Sequence, residues 1–91
     1  MEIEERKESL EMINRDREKP TYESVLEFHY SDDPSLDRDY MVWSGCKDEM
    51  KMLDLRINNH LNKGFTKEEL QPLYNLYNDY SDLRNEVWLK N

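Results

Sequence analysis

The sequence predicts a small α+β domain in the order helix, strand, strand, helix, helix, its last two helices closing as an antiparallel hairpin. Three observations carry this. Residues 46–90 show helical apolar periodicity on both sides of Gly64. Residues 24–30 alternate apolar and polar side chains. Residues 2–18 are charged, with only a thin apolar face. An all-helical bundle of three or four helices is the alternative for the same pattern.

The whole chain, 1–91, is expected to be one domain, of a length that buries about 60–65% of its unfolded surface. Residues 1–19 are expected to be a weakly anchored N-terminal helix. Ile3, Leu10 and Ile13 share its narrow face and Arg17 borders it. Glu2–Arg6 and Glu11–Arg15 have favourable i,i+4 spacing, worth about 0.3–0.5 kcal/mol each. Pro20 is the expected stop.

Residues 22–45 read as an acidic, aromatic β-hairpin. In 24–30, Leu26, Phe28 and Tyr30 face one way and Glu27 and His29 the other. Ser31-Asp32-Asp33-Pro34-Ser35 is a turn cluster. Tyr40-Met41-Val42-Trp43 favours a second strand, punctuated by Gly45. The helical rival places Tyr22, Val25, Leu26 and His29 on one face and lets Trp43 extend the stripe of the next helix.

Residues 46–90 form the expected αα-hairpin. Stepping 100° per residue gathers Cys46, Met50, Leu53, Ile57 and Leu61 into an arc of roughly 80°. Gly64 supplies a left-handed cap. Thr66 and Glu69 have capping-box spacing, and Phe65 and Leu70 that of a hydrophobic staple. Pro72 allows only a short turn at 67–70 before a restart. Leu73, Leu76, Tyr80, Leu83 and Val87 then repeat at three and four, a coiled-coil-like seam. Tyr74, Tyr77 and Trp88 widen it to about half the circumference, too wide for one neighbouring helix.

Net charge is −8, from 21 acidic and 13 basic residues. Residues 21–46 alone carry six acids and one arginine. Direct nucleic-acid binding is therefore not expected, because that affinity rests on cations at phosphates. A protein partner with a basic surface suits the charge better. The single cysteine, Cys46, excludes an internal disulfide and suits a reducing compartment. No apolar run approaches the roughly 18 residues of a membrane span. The expected location is cytoplasmic. There is no alanine, and asparagine is frequent, an association with AT-rich coding that fits a bacteriophage or mobile-element accessory protein.

No residue pattern predicts catalysis, a cofactor or a metal. His29, His60 and Cys46 lack ligand spacing. Asp32, Asp33, Asp37 and Asp39 resemble a calcium loop in content only, without its glycine or terminal glutamate. Six tyrosines and two tryptophans are a rich supply of interface anchors, though many must fill the core. The candidate partner-binding residues are Tyr22, Phe28, Tyr30, Asp32, Asp33, Asp37, Asp39, Tyr40 and Trp43, an acidic rim with aromatic anchors. Met52 and Leu55 join them, because they are apolar on the outer side of their helix.

The expected function is a small, acidic, non-enzymatic protein that binds and modulates or inhibits a larger, basic-surfaced protein. A nucleic-acid mimic and a small-ligand sequestering protein are the alternatives. For the last, Lys47, Lys51 and Arg84 are the cations available. The wide stripe of the last helix also allows a homodimer.

Overall fold

The computed structural model describes residues 3–90, the side chains of Ile3 and Lys90 excepted. It contains four helices and, among the described residues, no strand. They are α1 (Ile3–Ile13), α2 (Tyr22–His29), α3 (Arg38–Asn62) and α4 (Gln71–Lys90). The α+β expectation is thus overturned in favour of the all-helical class.

The correction falls on residues 22–45. The first expected strand is α2, and the second is the opening of α3, which runs through Gly45 without a break. Local hydrogen bonds favour helix here. Thr21 and Ser24 form a capping box: the Ser24 amide donates to Thr21 Oγ1 at 3.1 Å, and the Thr21 amide donates to Ser24 Oγ at 2.9 Å. Asp37 caps α3, its Oδ1 accepting from the Tyr40 amide at 2.7 Å. Tertiary packing completes the choice. Val25 is buried against Val42, Cys46, Leu83 and Val87, with Tyr22, Leu26, Trp43 and Tyr80 packed around them. A strand would put Val25 and Leu26 on opposite faces. A helix lets both approach α3.

The α3–α4 hairpin follows its local signals. The Phe65 amide donates to His60 O at 3.1 Å and the Gly64 amide to Leu61 O at 3.1 Å, a Schellman closure with Gly64 at φ +95°. The Glu69 amide donates to Thr66 Oγ1 at 3.2 Å, and the Thr66 amide to Glu69 Oε1 at 3.0 Å. Residues 67–70 form a turn, and α4 begins at Gln71. Pro72 thereby occupies the first turn, where its missing N–H costs no helical bond.

The molecule is long for its size, 49 × 24 × 22 Å, with a radius of gyration of 15.3 Å. A compact chain of this length would have about 12 Å. Two hydrophobic clusters lie in series along the hairpin. Near the turn, Ile13, Leu53, Ile57, Phe65, Leu70 and Leu73 pack together. At the far end lies the Val25–Val87 group. Tyr80 packs against both.

α1 stops at Ile13, earlier than expected, because side chains close it. Arg17 donates to Ile13 O at 3.0 Å and to Met12 O at 2.7 Å, and Asn14 Nδ2 donates to Leu10 O at 2.9 Å. Arg15 therefore lies beyond the helix, and the Glu11–Arg15 pair does not form. The Glu2–Arg6 pair and the Ile3 side chain lie outside the described residues. α1 is tied to the hairpin at two points. Ile13 is fully buried, and Arg6 donates to both Glu69 oxygens, at 2.7 and 2.8 Å, while lying 4.5 Å over the Phe65 ring.

Candidate functional site

The first turns of α3 and the last turns of α4 build an aromatic cleft of about 320 Å³, lined by Asp37, Asp39, Tyr40, Trp43 and Trp88. Tyr40 and Trp43 are three residues apart and so share a helix face. The antiparallel hairpin brings Trp88 to them. The Trp43 and Trp88 centroids are 5.8 Å apart with a 35° tilt, and those of Tyr40 and Trp43 are 6.2 Å apart at 32°. Trp88 is 65% exposed. The Lys47 ammonium lies 5.4 Å from the Trp43 centroid.

Two carboxylates rim the cleft, each with one oxygen fixed. Asp37 Oδ1 is the α3 cap. Asp39 Oδ1 accepts from the Tyr22 hydroxyl at 2.6 Å. That bond, with burial and the Asp39 charge, pushes the Tyr22 phenol up to about 12.

Of the residues expected at an interface, the fold unites Asp37, Asp39, Tyr40 and Trp43, with Tyr22 as the brace of Asp39. The others are dispersed. Phe28, 80% exposed, lines a separate cleft with His29, Glu49 and Tyr80. Tyr30, Asp32 and Asp33 belong to the exposed loop between α2 and α3. Asp33 is engaged within it, its Oδ1 accepting from the Ser35 amide at 2.9 Å and the Ser35 hydroxyl at 2.7 Å. These bonds hold its carboxyl below the usual range. Met52 and Leu55 are exposed, 58% and 52%. Met52 is nine residues from Trp43, which turns it to the opposite side of α3. One flat partner surface cannot cover both.

Trp88 is the residue that sequence reasoning missed. The turn register could have found it: Trp43 and Trp88 lie 22 and 23 residues either side of Phe65, so a straight hairpin pairs them.

Other groupings have chemical content but different geometry. His29 Nε2 lies 3.1 Å from Glu49 Oε1, in a cleft that Ser24 also lines. Ser24 Oγ, however, donates to Thr21 O at 3.0 Å and serves the helix cap. The expectation that His29 sits on a polar strand face is corrected: it packs on α3. Cys46 is fully buried, and burial pushes its thiol up to about 11, far from a nucleophile's range. His60 packs edge-on to Phe65, with burial and the charges of Arg56 and Lys63 lowering its pKa. Among the described residues, no three His, Cys, Asp or Glu side chains are grouped to hold a metal ion. Lys47, Lys51 and Arg84 do meet, in an open groove of about 500 Å³ with Tyr77 and Trp43, tempered by Asp48 and Asp54.

No protein-family model, curated protein or solved structure matches this chain. Among the described residues, no helix is long and apolar enough to cross a membrane.

Proposed function

We propose that this chain is a non-enzymatic interaction protein that binds a larger, basic-surfaced protein and modulates or inhibits it, with the Asp37–Trp43–Trp88 corner as its contact. One observation carries the reading: an exposed tryptophan stands beside a second tryptophan, a tyrosine and two carboxylates in a single cleft. Large aromatic rings are the usual energetic anchors of interfaces, and a surrounding acid rim steers a basic partner. The test is capture from a bacterial lysate at about 50 and 200 mM salt, where exposed charge attraction is screened and an aromatic anchor is not. A single stoichiometric protein retained at both, and lost with Trp88→Ala or with Asp37→Asn/Asp39→Asn, supports the reading. Retention unchanged by those variants sinks it.

A second reading, sequestration of a small anionic ligand, is favoured by the convergence of Lys47, Lys51 and Arg84 beside Tyr77 and Trp43. Inorganic phosphate or pyrophosphate would then shift the tryptophan fluorescence, and Arg84→Gln would abolish the shift.

A further inference from the structure

We infer that the group this cleft takes is the guanidinium of an arginine side chain, an inference that rests on the protein-binding reading and narrows it. The walls favour a cation. Tyr40, Trp43 and Trp88 all line the cleft, with neighbouring centroids 6.2 and 5.8 Å apart and tilts of 32° and 35°. Aromatic faces carry the negative part of the ring quadrupole. At 5.8 Å the two indoles are too close to admit a flat group between them, which would need about 7 Å, two van der Waals separations. The cation therefore lies over the rings.

The rim supplies the counter-charge. Asp37 and Asp39 each have Oδ1 held by a donor of this chain, at 2.7 and 2.6 Å, which orients the carboxylates. Among the described residues no donor is bonded to Oδ2 of either. Arg38, between them in sequence, does not line the cleft. Its charge is felt instead at Tyr22.

The chain also shows the affinity on itself. Lys47 already places an ammonium over Trp43 at 5.4 Å. An incoming arginine would use Trp88, 65% exposed, and compete with Lys47 for Trp43. Arginine suits the site better than lysine: a planar, weakly hydrated guanidinium can stack on indole while its edge donates to a carboxylate.

The experiment uses the intact chain, whose only two tryptophans, Trp43 and Trp88, both report on the cleft. Tryptophan fluorescence is titrated with N-acetyl-arginine amide, N-acetyl-lysine amide and the uncharged N-acetyl-citrulline amide. The arginine compound should bind saturably, about three-fold or more tighter than lysine, and citrulline should leave the signal unchanged. Asp39→Asn, which keeps the acceptor for Tyr22, should weaken arginine binding about three-fold or more with the thermal midpoint unchanged. Lys47→Met should leave binding equal or tighter, since it removes a competitor. Citrulline matching arginine, or a folded Asp39→Asn with full affinity, overturns the inference. A protein captured through Trp88 with no response to the arginine compound overturns it while keeping the protein-binding reading. An arginine response with no captured protein supports it and counts against that reading.

Discussion

The imidazole of His29 lies against the position where Gly45 would carry a side chain. A Cβ there would stand 2.8 Å from both Cγ and Cδ2 of His29 and 2.8 Å from Val25 Cγ1. Gly45 is thus the contact plate between α2 and α3, in the middle of a continuous helix. His29 is held over it by its 3.1 Å approach to Glu49.

Gly45→Ala should therefore destabilise, although alanine is the better helix former. The propensity gain of about 1 kcal/mol is outweighed by overpacking against a β-branched side chain and a fixed ring, about 1–3 kcal/mol. The measurement is the thermal midpoint in single variants and in a His29→Ala background, where part of the penalty should disappear. A rise in midpoint on Gly45→Ala alone would mean that α2 does not pack as described.

Gly64 offers the opposite case. A Cβ at Gly64 meets nothing within 4 Å, but φ is +95°. Gly64→Ala should cost about 1 kcal/mol from backbone conformation alone, independent of any neighbour. Gly64→Asn should cost less, because asparagine tolerates left-handed backbone. Urea midpoints of the two variants check the order.

Acid should loosen α1 first. The Thr66 amide, followed by the Arg6 charge, holds the Glu69 carboxyl below its ordinary 4.5. A carboxyl depressed in the folded state stabilises it above the unfolded value and loses that contribution as pH falls through the folded value. Stability from the Arg6–Glu69 clasp should thus be intact at pH 6 and fade below about 4.5. Protection of the α1 amides, measured as hydrogen exchange relative to the intrinsic rate at each pH, should fall across this range in the wild type. In Arg6→Ala protection should already be low at pH 6.

Cys46 should resist labelling. It is fully buried and its thiol is raised to about 11 by burial. Iodoacetamide at pH 8 should modify native protein about 100-fold or more slower than denatured protein, because reaction waits on opening. Rapid native labelling would show that the far-end cluster opens freely.

The α3–α4 turn was legible in the sequence because its determinants are neighbours in the chain. Gly64, Thr66, Glu69 and Pro72 each act on a backbone group within a few residues, so spacing alone specifies the closure, the cap and the restart. The outward placement of Met52 and Leu55 was legible for the same reason, since azimuth on a long helix follows from counting. Segment 22–45 was not. Over so short a stretch, Leu26, Phe28 and Tyr30 fit a period of 2 while Tyr22, Val25, Leu26 and His29 fit helical spacing, and neither pattern runs long enough to win. The choice came from Val25 finding Val42 and Cys46, and from Gly45 letting His29 approach. The candidate site divides in the same way. Tyr40, Trp43 and the two aspartates announce themselves as one acidic, aromatic stretch. Trp88, 45 positions beyond Trp43, joins them only because the helices pack antiparallel, and the Tyr22–Asp39 brace forms only because α2 docks on α3. Local backbone chemistry was enough to determine the hairpin turn. The cleft required burial between segments distant in the chain, which only the tertiary structure decides.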